Sequence, residues 1–355
     1  MGLERETPSR CRDVSREKTK KQAFFAIFTK NARPRKIETM KQRLVIFIDS
    51  VHPILEERLT QAGFECALHY QTSFEDLKKI LPLATGIVIR SRFTIHEEFL
   101  AYCPALEFIA RAGSGLENID AQLCKARNIK LYNSPEGNRN AVAEHALGML
   151  LGLLNKLHKA DREVRAGIWD REANRGEELD GKTIGLIGYG NNGAAFAKKL
   201  RGFDVKVMAY DKYKTGFGDH FVQECTIEAI QEQADVLSFH IPQNRETKQF
   251  FNAAFLQKMK KPFYLLNLSR GKIVETSTLV LGLKSGQIKG AGLDVLEYEK
   301  KSFEAFFDQD MPSDFSYLVQ ADNVSLSPHV GGWTTESYVK LSSVLADKIL
   351  ADESN

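Results

Sequence analysis

The sequence predicts an α/β protein with parallel sheets, divided into two units. Three observations carry that expectation. Short apolar runs alternate with helical periods from residue 43 onward, which implies parallel strands with helices on both faces. One of these runs ends in a glycine-rich turn that opens a helix. And 355 residues at 43% hydrophobic content are enough for two cores.

In the first unit, strands are expected over residues 44–48, 65–69, 86–90, 106–110 and 129–132, with helices over 53–62, 74–81 and 96–102. Residues 141–159 give the longest helical period. Leu147, Leu150, Leu151, Leu154 and Leu157 lie along one face, which either enters a core or meets a partner subunit. Residues 160–180 are polar, with Trp169 an isolated anchor, and read as a connection.

Residues 182–211, KTIGLIGYGNNGAAFAKKLRGFDVKVMAYD, form a strand–turn–helix–strand half-unit. Gly188 allows the tight turn, Gly190 leaves room for a pyrophosphate, and Gly193 lets the helix pack on the strand. The first N–H groups of that helix, around Asn191 and Asn192, favour a phosphate. Asp211 can accept from both ribose hydroxyls and would repel a 2′-phosphate, so the cofactor is read as NAD rather than NADP. Further strands are expected over 236–240, 263–267, 290–295 and 324–327, with helices over 226–233, 253–258 and 276–284. Residues 300–320 read as a long acidic and aromatic loop. The last helix, 334–351, has no strand after it and should pack back on the first unit.

Charge and cysteine usage narrow the function. Residues 1–40 hold eleven Lys/Arg and five Asp/Glu, a net +6, so the chain's +3 leaves −3 for residues 41–355. A weakly acidic body gives no electrostatic reason to expect nucleic acid. The apolar run at 23–28 is too short for a signal peptide, residue 6 is not the Ser or Thr that myristoylation wants, and acidic residues argue against a transit peptide. With Met40 just before the first strand, residues 1–40 read as a disordered basic appendage. Cys11, Cys66, Cys103, Cys124 and Cys225 are odd in number and contain no C-x-x-C, so neither disulfides nor a metal is expected. No apolar stretch approaches the ~20 residues that span a bilayer. A soluble, cytoplasmic protein is expected.

A bound nicotinamide exchanges a hydride, and the protein must supply a proton acceptor and a group to hold the substrate. Arg270 in NLSRG, the acids of GLDVLEYE and His329 in SPHVGG all follow expected strands, where an open sheet places its ligands. A histidine with a carboxylate partner suits proton transfer.

The run from Arg90 to the last helix resembles the D-isomer-specific 2-hydroxyacid dehydrogenase family. Matching segments are IRS at 89–91, RAGSGLENID at 111–120, NSPEGN at 133–138 and VAE at 142–144. The GYGNNG turn, HIP at 240–242, NLSRG, GLDV and SPHVGG follow in order. The resemblance covers nearly everything except residues 1–40. It implies a Rossmann dinucleotide-binding domain over 139–328, a flavodoxin-like parallel α/β substrate domain over 41–138 and 329–355, and a homodimer. By that resemblance Arg270, Glu299 and His329 are the catalytic trio, with Glu299 preferred to Glu297 because it stands five residues after Asp294. Lys300 replaces a proline usual in the family, and Asn192 replaces a residue that is commonly aliphatic, implying a small change in helix packing. His329 would take the hydroxyl proton, Arg270 would orient the carboxylate, and Glu299 would hold His329 and raise its basicity. NAD contacts fall on Gly188, Gly190, Asn191, Asn192, Gly193, Asp211, His240, Pro242 and Asp294. Substrate contacts fall on Arg90, Ser91, Arg111, Ser114 and Gly115.

Phosphoglycerate dehydrogenases of this family place arginines in the segments of Arg90 and Arg111, with Arg139 or Lys156 as further charge. The small-molecule substrate is therefore read as 3-phosphoglycerate, oxidised to 3-phosphohydroxypyruvate at the entry to serine synthesis. If Arg111 makes only a structural salt bridge, glyoxylate, hydroxypyruvate or D-lactate takes its place. Formate is not expected, because that branch has an amide where Glu299 stands. A reading from another class is an NAD(H)-sensing protein like the transcriptional corepressors that resemble the family. The few residues after the last helix give no expectation of an appended regulatory domain.

Overall fold

The computed structural model describes residues 43–299 and 312–353. The expected appendage at residues 1–40 lies outside them. The first sheet is built by β1 (Arg43–Phe47), α1 (Ile54–Gln61), β2 (Phe64–Leu68), α2 (Phe74–Ile80), β3 (Ala84–Ile89), α3 (Glu97–Ala101), β4 (Phe108–Arg111), α4 (Ala121–Ala126) and β5 (Lys130–Asn133). Its strands run parallel in the order β2-β1-β3-β4-β5, the flavodoxin-like arrangement with its switch point between β1 and β3. The unbroken apolar run of β1 follows from burial on both faces. Val45 and Phe47 meet Leu55 and Leu59 of α1, while Ile46 and Ile48 meet Leu77 and Phe99.

Two helices then follow, α5 (Pro135–Leu154) and α6 (Leu157–Arg165). The single helix expected over 141–159 is thus corrected. It begins earlier, with Pro135 at its first position, and breaks where Lys156 takes a left-handed φ of 50°. Its apolar face is mostly core: Val142, Ala146, Met149, Leu150 and Leu153 pack on the second sheet. The exposed apolar side chains lie further on, at Leu157, Val164, Ile168 and Trp169.

The second sheet comprises β6 (Thr183–Ile187), α7 (Asn191–Leu200), β7 (Lys206–Tyr210), β8 (Val222–Glu224), α8 (Ile227–Gln233), β9 (Val236–Phe239), α9 (Ala253–Lys258), β10 (Phe263–Asn267), α10 (Thr276–Ser285), β11 (Ile288–Leu293), α11 (Ser313–Gln320) and β12 (Val324–Leu326). All strands are parallel, in the order β12-β11-β10-β9-β6-β7-β8. This is the doubly wound Rossmann order, and its direction reverses between β6 and β9, beside the glycine turn. Ile184, Leu186, Val207 and Leu266 pack on α5 and α7, while Ile187, Leu237, Phe239 and Leu265 pack on the opposite side.

Within the stretch expected to be a loop, residues 300–311 fall outside the described residues and 313–320 are the helix α11. Phe315 and Leu318 are buried beneath it, an i, i+3 pair too short to stand out in a polar segment. α12 (Thr335–Glu353) ends the described chain. It returns to the first sheet, as its lack of a following strand implied. Leu345, Ala346 and Ile349 join the core of β1, and Arg58 of α1 reaches Asp347 at 2.7 Å. Both sheets contribute loops to a shared cleft, Arg90 and Arg111 from the first and Arg270 and Asp294 from the second. Among the described residues, no helix is long and apolar enough to cross a membrane.

Candidate active site

The glycine turn is shaped by close approach. Gly188 has φ +97°, and a Cβ there would lie 2.7 Å from the His240 carbonyl oxygen. A Cβ on Gly193 would collide with the Gly188 carbonyl oxygen, whereas Gly190 faces open space. α7 starts without a side-chain cap, so its first N–H groups point outward without a side-chain partner. Asn191 Oδ1 accepts from Arg139 at 3.4 Å, and Asn192 Oδ1 is buried with no partner. Bare backbone donors at a helix start, beside a side-chain amide that can present its oxygen or, flipped, its NH2, fit the pyrophosphate of a dinucleotide.

Asp211 stands at the end of β7. It accepts N–H bonds from Tyr189 at 2.8 Å and from Tyr213 and Lys214 at 2.9 and 3.1 Å. Lys212, beside it, is paired with Glu246 at 2.6 Å. His240 lies behind the turn, its Nε2 2.9 Å from Ser238 Oγ and its ring tilted against Phe196. Burial pushes the imidazole down to about 4, so it is neutral at pH 7. Pro242, exposed two residues on, accepts from Thr247 Oγ1 at 2.6 Å.

On the cleft side, Nδ1 of His329 lies 2.8 Å from Oε2 of Glu299. The other carboxylate oxygen accepts the backbone N–H of Leu296. His329 itself has φ 55°, a conformation a non-glycine residue rarely holds. Asp294 fixes it there. Its carboxylate accepts from the N–H groups of Val330 and Gly331, each at 2.8 Å, and from Ser327 Oγ, while its own carbonyl accepts the His329 N–H at 2.8 Å. Asp294 was expected among the NAD contacts. It lines the cleft, but these four bonds give it the added task of pinning the loop that carries His329.

Arg270 follows β10, where Asn267 organises the turn by accepting from Ser269 and donating to the Arg270 carbonyl. Its Nε donates to Glu117 Oε1 at 2.6 Å. The cleft between these loops has a volume of about 280 Å³ and is lined by Arg90, Ser91, Arg111, Ser114, Gly115, Asn192, Arg270, Asp294 and His329, among others. Asp49 holds the loop after β3, accepting from the N–H groups of Arg90, Ser91 and Arg92 at 2.6, 3.0 and 3.2 Å. The Arg90 guanidinium stacks on Trp333, 4.4 Å from the ring centre. Arg111 donates through Nε to the Arg90 carbonyl at 3.2 Å, and burial followed by the nearby Arg270 pushes it down to about 10. Ser114 Oγ donates to Asn138 Oδ1 at 2.6 Å.

The expected charge from Lys156 does not reach this cleft. Its ammonium donates to the Ala173 carbonyl and it lines a separate pocket with His158 and Lys289. Sequence reasoning passed over Glu117, Trp333 and Asp49. The first two sit inside segments singled out for other residues. Asp49 carried no signal beyond its place at the end of β1.

Residues 147–331 match the family model for the D-isomer specific 2-hydroxyacid dehydrogenase, NAD binding domain. A hydroxypyruvate reductase of Thermotoga maritima is 33% identical over 78% of this chain and 88% of its own length. The chain belongs to the D-isomer specific 2-hydroxyacid dehydrogenase family. Its members are NAD-dependent oxidoreductases acting on CH–OH groups. A D-3-phosphoglycerate dehydrogenase of Archaeoglobus fulgidus is 32% identical over 84% of this family member, which spans about half (55%) of that relative's length. Among solved structures, the D-lactate dehydrogenase of Aquifex aeolicus complexed with NAD and lactic acid matches at a TM-score of 0.76 and 25% identity, covering 88% of this chain and 96% of that one.

Proposed function

We propose that this dehydrogenase interconverts a phosphorylated D-2-hydroxy acid and its 2-oxo acid, with 3-phosphoglycerate and 3-phosphohydroxypyruvate as the pair. The chemistry rests on one observation, the Glu299–His329 contact at 2.8 Å on the wall of the cleft that holds Arg270. Ionised Glu299 only accepts, so Nδ1 of His329 carries the proton and Nε2 is the basic atom. NAD held at the glycine turn would supply the hydride acceptor, and NADH the donor, for the substrate carbon. His329 takes the hydroxyl proton through Nε2, and Glu299 stabilises the imidazolium that forms. Arg270 holds the carboxylate and polarises the nascent carbonyl, while the loop at Ser114 and Gly115 offers backbone N–H groups. Asp211 favours NAD over NADP at the adenosine ribose.

The phosphate reading rests on charge. Among the described residues, Arg90, Arg111 and Arg270 line the cleft against one lining acid, Asp294, whose carboxylate is taken up by Ser327 and the Val330 and Gly331 N–H groups. With Glu117 engaging Arg270, Arg90 and Arg111 are the cations placed to meet a second negative charge on the substrate. Such a substrate places the enzyme at the entry to serine synthesis. The test is a panel of 3-phosphohydroxypyruvate, hydroxypyruvate, glyoxylate and pyruvate with NADH. A preference for the phosphorylated acid supports the reading, and equal or better use of the others assigns the enzyme to them. Absence of turnover with all four would turn the reading to an NADH-sensing protein. We also infer a homodimer through Leu157, Val164, Ile168 and Trp169, four large apolar side chains exposed within thirteen residues. Light scattering on Ile168→Asp and Trp169→Asp should show monomers.

A further inference from the structure

Arg270 and Glu117 belong to different halves of the molecule. Arg270 follows β10 of the second sheet and Glu117 follows β4 of the first, so their ion pair crosses the cleft. Nε of Arg270 donates to Glu117 Oε1 and Nη1 donates to the Ser269 carbonyl, each at 2.6 Å. A guanidinium is planar and carries five N–H groups, so two bonds in different directions fix the plane and direct the remaining donors as a set. Side-chain exposures of 20% and 28% remove the pair from most solvent screening. Although burial opposes its charge, Arg270 and Arg111 hold the Glu117 carboxyl below the usual range, so it stays ionised.

Gly115 makes room for this arrangement. A Cβ there would collide with both Glu117 Oε2 and Arg270 Nη2, so the pair rests directly on the glycine α-carbon. One short loop, residues 114–117, therefore faces the substrate and also carries the carboxylate that aims the arginine.

We propose that Glu117 is a positioning residue that holds the Arg270 guanidinium in its working orientation when the two halves meet. This inference rests on the hydroxy-acid reading of the site. The substrate does not displace Glu117; its carboxylate and carbonyl meet the guanidinium N–H groups that Glu117 and Ser269 leave over. Removing Glu117 makes the cleft more positive, so an anionic 2-oxo acid should bind no more weakly. What is lost is orientation, which counts as charge develops on the carbonyl oxygen.

The experiment is steady-state reduction of the wild-type enzyme's best 2-oxo acid by Glu117→Ala and Glu117→Gln, with NADH binding followed by fluorescence. Glu117→Ala should lower kcat by ~10–10²-fold, with KM for the oxo acid unchanged or lower and NADH affinity unchanged. Glu117→Gln keeps an acceptor for Nε and should recover most of kcat. Melting of cofactor-free Glu117→Ala, Arg270→Ala and the double variant should be non-additive, reading the pair without turnover. Wild-type kcat in Glu117→Ala, a raised KM with kcat kept, a Gln variant as impaired as Ala, or additive melting shifts would each overturn the proposal while leaving the dehydrogenase reading in place. A wild-type protein inert towards every 2-oxo acid overturns both.

Discussion

Glu299 orients His329 from only thirty residues away in sequence, through a side-chain contact of 2.8 Å, while His329 holds a left-handed backbone. A strained φ kept in place by Asp294 implies that the imidazole direction matters more than local comfort. His329→Ala should therefore retain NADH binding and lose about 10²–10⁴-fold in kcat, the usual worth of a positioned acid–base group. Stopped-flow or steady-state turnover, alongside NADH titration, checks this. Wild-type-like turnover would remove His329 from its role.

Arg111 is held in the cleft at a cost. Burial, then repulsion from Arg270 and Arg90, pushes it down to about 10, so the folded state disfavours its charge. The unfavourable contribution is fully present below that value and fades only as pH rises through about 10 towards the unfolded value of 12.5. At neutral pH, Arg111→Met should raise the melting temperature by ~2–4 °C for each kcal/mol relieved. It should also lose the preference for 3-phosphohydroxypyruvate over hydroxypyruvate by about tenfold or more, as a charge-assisted phosphate contact of ~1.5–3 kcal/mol implies. Unchanged discrimination would return Arg111 to a structural role.

The two sheets and the glycine turn were legible because parallel strands covered on both faces are written as short apolar runs. Residues 263–267 and 253–258 match the observed elements end to end. What stayed hidden depends on tertiary contact. The break at Lys156 follows from one backbone dihedral, with no glycine or proline to announce it. α4 is only six residues long and is capped by Asp120, and β8 is three residues at a sheet edge, so neither offers a full period. In the site, Arg270, His329 and the group of acids after Asp294 stood out by their place after strands, and the family resemblance alone singled out Glu299 from Glu297. The Asp294 bonds to Val330 and Gly331, and the pair of Glu117 with Arg270, span 36, 37 and 153 positions in the chain, distances at which spacing carries no information.

Asp211 ends β7 beside the glycine turn, where its carboxylate suits a ribose hydroxyl better than a 2′-phosphate, and the two lysines that follow it are engaged elsewhere, Lys212 with Glu246 and Lys214 with the Tyr189 carbonyl. Asp211→Ala should weaken NADH by about tenfold, since a hydrogen bond to a charged group contributes ~1.5–3 kcal/mol, and should weaken NADPH less or strengthen it. The ratio of kcat/KM for the two coenzymes measures the effect. A ratio equal to that of the wild type would place the discrimination elsewhere.

His240 gives the apo-protein a pH dependence with a definite sign. Part of the residue reaches the surface, but its ring is enclosed by Phe196, Ser238 and the glycine turn, and burial lowers it from 6.5 to about 4. Between those values the unfolded chain binds a proton that the folded chain refuses. Stability must therefore fall as pH drops below about 6.5, with a slope approaching ~1.4 kcal/mol per pH unit. Carboxylates such as Glu177, brought to about 2 by Lys289 and Lys182 against the opposing effect of burial, lose their contribution only as pH falls below the unfolded value of 4.5. The range from about pH 6.5 to 5 thus isolates histidine titration. In that window His240→Asn, which keeps a polar partner for Ser238, should melt with a shallower pH slope than the wild type. Parallel slopes would mean that the ring can be protonated in place, and the turn behind Gly188 would then be open to water.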